Sequence, residues 1–312
     1  MMELKTFEHL YRKMFLQTNG FMLNWPIGQH VDVGDFFILK PNKLSVVGHI
    51  PVDILNAEKS YDEEPLEVFV PAAVPDKKSS KNTGTFPANA WTWRMMEGCA
   101  SDYVSNKMLK PHKSKLQPPD VNQYITHFEN ESNFFFSAKE ASIKKVLDFH
   151  KLHKRIIRIL ATQFFNYSEV YFITEVAILP NFSMGISKRA DAKLIMSLDN
   201  FYNGDIMDVT SSEIPLGIEK TEGLSQLKIR EKGGPIAFRA LKMSLSLKAK
   251  DEIMKKLKYT ENKDLEKYIA EIIEQNLHNL VPSIEINPSN AGEFFEWRPM
   301  GLEDVEVFLS GN

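Results

Sequence analysis

Residues 168–180 read "SEVYFITEVAILP". Val170, Tyr171, Phe172, Ile173, Val176 and Ile178 are β-branched or aromatic, the side chains that suit a pleated, buried surface. The run predicts one long strand, stopped at Pro180, with Thr174 and Glu175 at its centre. Strand parity divides it into two faces: Tyr171, Ile173, Glu175, Ala177 and Leu179 on one, and Val170, Phe172, Thr174, Val176 and Ile178 on the other. The second face is apolar apart from Thr174. The first carries a carboxylate that needs a cation in a folded interior. Arg239, in "AFRA" (237–240), is the expected partner, which requires the two segments to pair as neighbouring strands.

The segment around Arg239 supports that pairing. Within "GLSQLKIREKGGPIAFRALKMSLSLK" (223–248), Leu241, Met243, Leu245 and Leu247 alternate with Lys242, Ser244, Ser246 and Lys248. Ile236 and Phe238 fall on the opposite parity, so a bulge or bend is expected near Ala240. Upstream, Phe36–Leu39, the turn at 41–43 and Leu44–Val47 predict a hairpin. "LEVFVPAAV" (66–74), "NQYITHF" and "SNFFFSA" add further strands. A basic amphipathic helix is expected over 4–16, ended by Asn19-Gly20. A longer one is expected over 139–161, where Ile143, Val146, Leu147, Phe149, Leu152, Ile156, Ile159 and Leu160 form the apolar stripe.

That second segment carries seven basic residues against two acidic ones: Lys139, Lys144, Lys145, Lys151, Lys154, Arg155 and Arg158 against Glu140 and Asp148. Such a face either solvates itself or attracts anionic lipid head groups, at ~1 kcal/mol per cation near a membrane surface. Lys5, Arg12 and Lys13 can add to it. The whole chain of 312 residues has net charge −3, so no global basic field recruits nucleic acid, and no nucleic-acid partner is expected. Charge is unevenly placed. Residues 281–312 carry Glu285, Glu293, Glu296, Glu303, Asp304 and Glu306 against Arg298, a net −5, which leaves the rest mildly basic.

A single cysteine, Cys99, excludes a disulfide framework, and the opening "MMELKTFEHLYRKMF" lacks a signal-peptide core. Both point to a cytoplasmic location at rest. No P-loop, dinucleotide fingerprint, nucleophile elbow or H-E-x-x-H motif is present, so no catalytic residue, cofactor or metal is expected and the chain does not read as an enzyme. His150 and His153, at i, i+3 among lysines, read as solvated histidines. Cys99 reads as a structural thiol. Two other readings remain open: a soluble binding or adaptor module using the basic face, and an enzyme with a dispersed site around Trp91, Trp93, Arg94, Glu97 and Cys99.

The order of these segments resembles the pore-forming domain of gasdermins. Four stretches carry the resemblance: the N-terminal helix and hairpin closing in Val52-Asp53-Ile54-Leu55; "FFFSAKEASIKKVLDFHKLHKRIIRIL"; "EVYFITEVA", similar to that family's V-Y-V-V-T-E-V strand through Tyr171, Thr174, Glu175 and Val176; and "GGPIAFRALKMSLSL", similar to G-S-T-L-A-F-R-V through Ala237, Phe238 and Arg239. Together they cover about residues 5–55 and 132–247. Residues 56–131 match nothing in the family, and only about 65 residues follow the matched part, as in compact bacterial or fungal members. The lipid-modified cysteine near the N-terminus of bacterial members has no counterpart, and Cys99 does not inherit its role.

The resemblance implies an α+β fold: a twisted, mainly antiparallel sheet with packed helices over residues 1–247, and a short helical, acidic C-terminal regulatory segment over 248–312. It implies a monomer held off at rest and cut by an activating protease. "KYTENKD" (258–264, with Asn262) and "VPSIEINPSNAG" (281–292, with Asn287) are the candidate cleavage loops. The freed domain then binds anionic membrane lipid through Lys5, Arg12, Lys13, Lys144, Lys145, Lys151, Lys154, Arg155 and Arg158. It forms a homo-oligomer and inserts strands bearing Val170, Phe172, Val176, Ile178, Leu241, Met243 and Leu245 as a β-barrel pore that kills the cell. A closed barrel satisfies every backbone group, and Glu175 would face its aqueous lumen.

Overall fold

The opening segment becomes strand β10 (Val170–Ser187), and the segment around Arg239 becomes strand β13 (Leu224–Leu245). They run antiparallel along nearly their whole lengths, from Val170 opposite Met243 to Ser187 opposite Leu224. The computed structural model describes residues 4–24, 30–55, 82–87, 93–105, 122–164, 169–198, 205–212, 215–256 and 290–310. The expected strand at 66–74, the cleavage loop 258–264 with Asn262, and residues 281–289 of the second loop with Asn287 lie outside the described residues; 290–292 of that loop are described and open a short helix.

The other described strands of the main sheet tile the edges of this central pair. The outer edge of β13 takes β1 (Met22–Leu23) and, further along, β14 (Phe295–Pro299). The outer edge of β10 takes three partners in succession: β2 (Asp35–Lys40), β9 (Ser142–Val146) and β8 (Phe134–Lys139). Beyond these lie β3 (Lys43–His49), β4 (Thr83–Pro87) and β5 (Arg94–Glu97). A second, four-stranded antiparallel sheet runs β12 (Leu216–Glu222), β11 (Ala192–Leu198), β7 (Asn122–Phe128), β6 (Cys99–Ser105). The molecule is α+β, mostly antiparallel, with a curled main sheet. Among the described residues the α-helices are α1 (Glu8–Gln17), α2 (Phe149–Phe164), α3 (Ile206–Ser211), α4 (Leu247–Lys256), α5 (Ala291–Phe294) and α6 (Leu302–Leu309).

Pro180 does not end the strand. It sits where β10 changes partner, after Ile178 opposite Ser142 of β9 and before Asn181 opposite Lys139 of β8. No ladder bond is asked of its missing N–H there.

The expected helix over 139–161 is corrected at its start. Residues 142–146 are a strand between β10 and β4, and α2 begins only at Phe149. Ile143 and Val146 fit helical spacing, but two open strand edges on either side outweigh it. The positive φ of Glu140 (54°) and Asp148 (49°) breaks the chain on each side. Lys144 and Lys145 therefore belong to a strand and not to the basic helix.

The face assignment is corrected as well. Ile173 opposes Ala240, but Glu175 opposes Arg239, so Thr174 is an extra residue, a bulge. Directly opposed residues share a face. Glu175 therefore joins Phe172, Leu241 and Arg239, while Val176 joins Tyr171, Ile173 and Phe238. The irregularity expected near Ala240 of β13 lies across from it, in β10. β13 needs none there, because it is buried on both faces: Phe238, Ala240 and Lys242 on one, Met243 and Leu245 on the other. Leu247, expected to continue the apolar alternation, starts α4 and is 73% exposed.

One core lies against the main sheet. On one face, Phe37 stacks on Tyr171 at 5.1 Å and meets Phe238 edge-on at 5.2 Å. On the other, Phe172, Phe149 of α2 and Trp297 of β14 gather within 6.0 Å. A smaller core lies between the second sheet, α3 and Phe135. Gly185 makes the close approach there possible, since a Cβ on it would sit 2.4 Å from the Phe135 ring.

No strand was expected in the helical, acidic segment 248–312, but β14 is a strand of the main sheet. The helix after it, α6, buries Val305 and Phe308 completely, with the Phe308 ring 5.5 Å from that of Tyr11 on α1. Among the described residues, no helix is long and apolar enough to cross a membrane.

Candidate functional site

Glu175 and Arg239 meet as expected: Arg239 Nη1 donates to Glu175 Oε2 at 2.8 Å. Arg239 does more than neutralise the carboxylate. Its Nη2 donates to the Thr18 carbonyl at 3.1 Å, at the C-terminus of α1, where a cation meets the negative end of the helix dipole. Its guanidinium lies 4.5 Å from the Phe21 ring. The three contacts tie α1 to the centre of the sheet. Arg239→Ala is therefore expected to cost about 2–3 kcal/mol in urea unfolding, and Glu175→Gln, which spares two of the three contacts, about 1. Equal losses would contradict this division.

The basic residues do not form one open face. Arg12 grips Glu306 of α6 with two bonds, Nε to Oε1 at 2.6 Å and Nη2 to Oε2 at 2.7 Å, and also pairs with Glu8. Lys13 donates to the Met96 carbonyl at 2.9 Å and to Glu97 at 3.2 Å. Lys144 reaches both oxygens of Asp32 at 2.7 Å. Lys145 lies 4.6 Å above the Phe86 ring, and Lys151 pairs with Asp148 at 3.0 Å. Arg155 and Arg158 are corrected outright as surface cations: they are 9% and 5% exposed, on the packed side of α2. Burial, with Arg158 close by, pulls the Arg155 guanidinium below its ordinary range. Lys5 and Lys154 are exposed.

The strand residues expected to meet lipid are interior. Val170, Phe172, Val176, Met243 and Leu245 are buried, and Leu241 and Ile178 are half-buried.

The residues proposed as a dispersed enzyme site are each occupied structurally, apart from Trp91, which lies outside the described residues. Trp93 is buried edge-on to Phe21 at 5.7 Å. Arg94 pairs with Asp205 and Asp208, and Glu97 with Lys13 and His9. Cys99 donates its thiol to the Glu97 carbonyl at 3.4 Å, and burial pushes its pKa up to about 12. It stays a thiol at neutral pH. Native protein is expected to resist iodoacetamide at about pH 8 and to label stoichiometrically once unfolded. Rapid labelling of the native chain would contradict that assignment.

Sequence reasoning missed a buried charged cluster. Lys242, placed by alternation on the face opposite Leu241 and Met243, is 3% exposed, and Asp304 at the start of α6 is 2% exposed. Lys242 Nζ lies 3.0 Å from Asp304 Oδ1 and 2.5 Å from Glu169 Oε1. The Tyr171 hydroxyl is 2.8 Å from Asp304 Oδ1 and 3.2 Å from Glu169 Oε2, and donates to one carboxylate at a time. Gly301 N donates to Asp304 Oδ2 at 2.8 Å, capping α6. Burial, then the two carboxylates, hold the Tyr171 hydroxyl far above the usual phenol range, so it remains a donor. One signal was present in the sequence: Lys242 shares its parity with Phe238 and Ala240, so an interior on that face takes the lysine with it.

The last described residues are thus fastened by three kinds of contact: strand pairing, apolar packing and ion pairs. β14 pairs with β13 from Leu241–Pro299 to Leu245–Phe295. α6 fills the core with Val305 and Phe308. Asp304 neutralises Lys242, and Glu306 neutralises Arg12. Among the described residues, no group of three His, Cys, Asp or Glu side chains is placed to hold a metal ion. Compared with known proteins, the sequence matches no family model and no curated protein.

Proposed function

We propose that this chain is a gasdermin-like latent pore-former. Its C-terminal segment holds it at rest, and a cut before that segment activates it. One observation carries the reading: residues 290–310 cover the outer edge of β13 with a strand of five residues while their acids neutralise Arg12 and Lys242. Removing them leaves, in one step, an unpaired strand edge and takes one of two carboxylates from each of two cations. An open edge is a template for another chain, and freed cations attract anionic lipid.

The long β10–β13 pair supports the reading further. Strands of 18 and 22 residues exceed the ~9–11 that a membrane-crossing strand needs. With the bulge at Thr174 in place, the two faces of β10 are not those of simple alternation. A rearranged strand either keeps the bulge and puts Val176 on the opposite side from Phe172, or loses it and restores the alternation.

Limited proteolysis between residues 257 and 289, followed by dye release from vesicles of anionic lipid, tests the proposal. Cut protein is expected to release dye and intact protein to be silent. Absence of leakage for every truncation in that window would overturn it.

A further inference from the structure

Three ion pairs between described residues join 290–310 to the rest of the chain, and all three have the same polarity. The carboxylate always comes from the C-terminal segment and the cation from the body: Asp304 to Lys242, Glu306 to Arg12, and Glu293 to Lys248. We propose that this arrangement is an acid-sensitive clamp, in which protonation of Glu306 and Glu293 loosens the C-terminal segment without any cut. The inference rests on the C-terminal segment acting as the restraint described above, and adds a second trigger to it.

The groups facing Glu306 and Glu293 make these two respond with one sign. Asp304 faces Lys242 of β13, Tyr171 of β10 and, across Lys242, Glu169. Glu306 faces Arg12 of α1, which Glu8 also contacts. Glu293 faces Lys248 of α4. Arg12 holds Glu306, and Lys248 holds Glu293, below the usual carboxylate range through direct hydrogen bonds. A carboxylate depressed in the docked state favours docking at neutral pH, and this contribution is lost as pH falls through the depressed range. Undocking has a further consequence: it takes Asp304 away from Lys242, which keeps its contact with Glu169. The cations uncovered on release, Arg12, Lys242 and Lys248, stay charged in acid, so the loosened form carries more positive surface toward an anionic membrane.

Hydrogen exchange of the intact protein, corrected for the intrinsic pH dependence of exchange, separates this from general acid unfolding. Between about pH 7 and pH 4, protection across 295–309 is expected to fall about tenfold more than protection across 170–179. At neutral pH, the Glu293→Gln/Glu306→Gln variant, altered only at partly exposed pairs, is expected to lower protection of 295–309 selectively and to flatten its pH dependence. Adding Asp304→Asn, which removes the charge facing Lys242, is expected to lower that protection further. Parallel loss of protection in the two regions, or a variant whose 295–309 segment behaves as the unaltered chain at both pH values, overturns the clamp. Dye release measured in parallel keeps the two readings apart. Selective acid release of the segment without leakage supports the clamp and counts against the pore. Leakage in acid with the segment still protected overturns the clamp.

Discussion

Asp304→Ala is expected to lower the free energy of unfolding in urea by about 3–5 kcal/mol. The substitution removes a small, buried side chain, so little of the loss comes from packing. The loss comes from what remains. Lys242, 3% exposed, keeps its charge and loses one of two carboxylates, Tyr171 loses its nearer acceptor, and Gly301 N loses its cap. A buried ion pair is weak support for stability as a pair but costly to halve. Lys242→Met combined with Asp304→Leu is therefore expected to recover most of the loss. A double variant as unstable as Asp304→Ala alone would mean that the cost lies in helix capping and not in the stranded charge.

Phe308→Ala is expected to cost a similar amount, about 3–5 kcal/mol, through a different mechanism. The ring is fully buried against Tyr11, and the segment that carries it cannot close the space without moving α6 off α1. Its neighbour Val307 is 46% exposed, and Val307→Ala is expected to stay within about 0.5 kcal/mol. Asp304 and Phe308 are one helical turn apart on α6, so the two losses should combine to less than their sum. A small loss for Phe308→Ala would show that α6 already contributes little to holding the fold.

What was legible in the sequence was local or strictly periodic. The helix at 8–17 and the hairpin of β2 and β3 follow from short-range pattern and turn residues, with Asn42 in the left-handed region at φ 55°. The Glu175–Arg239 pair was legible because a carboxylate inside an apolar strand needs a cation, and the neighbouring strand offered one. What escaped was set by register and by distant partners. Nothing local distinguishes Thr174 as a bulge, because the extra residue is defined only against β13. The stretch 142–146 satisfies a helix as well as a strand, and two open edges from elsewhere in the chain decide it. Lys242 lies 62 residues from Asp304, and its burial depends on a C-terminal helix that composition described only as acidic. The basic residues were read as one face because their charges were counted without their partners: Glu306 is 294 residues from Arg12.

The account turns on the separation of β14 from β13. Ser244 and Glu296 are directly opposed across that ladder, at a spacing a disulfide can bridge. The measurement is dye release from anionic vesicles by the Ser244→Cys/Glu296→Cys variant, cut between residues 257 and 289, before and after reduction. Silence while the bridge is intact and leakage once it is reduced is the predicted result. Equal leakage in both states, or none in either, would contradict the claim that this strand restrains the protein.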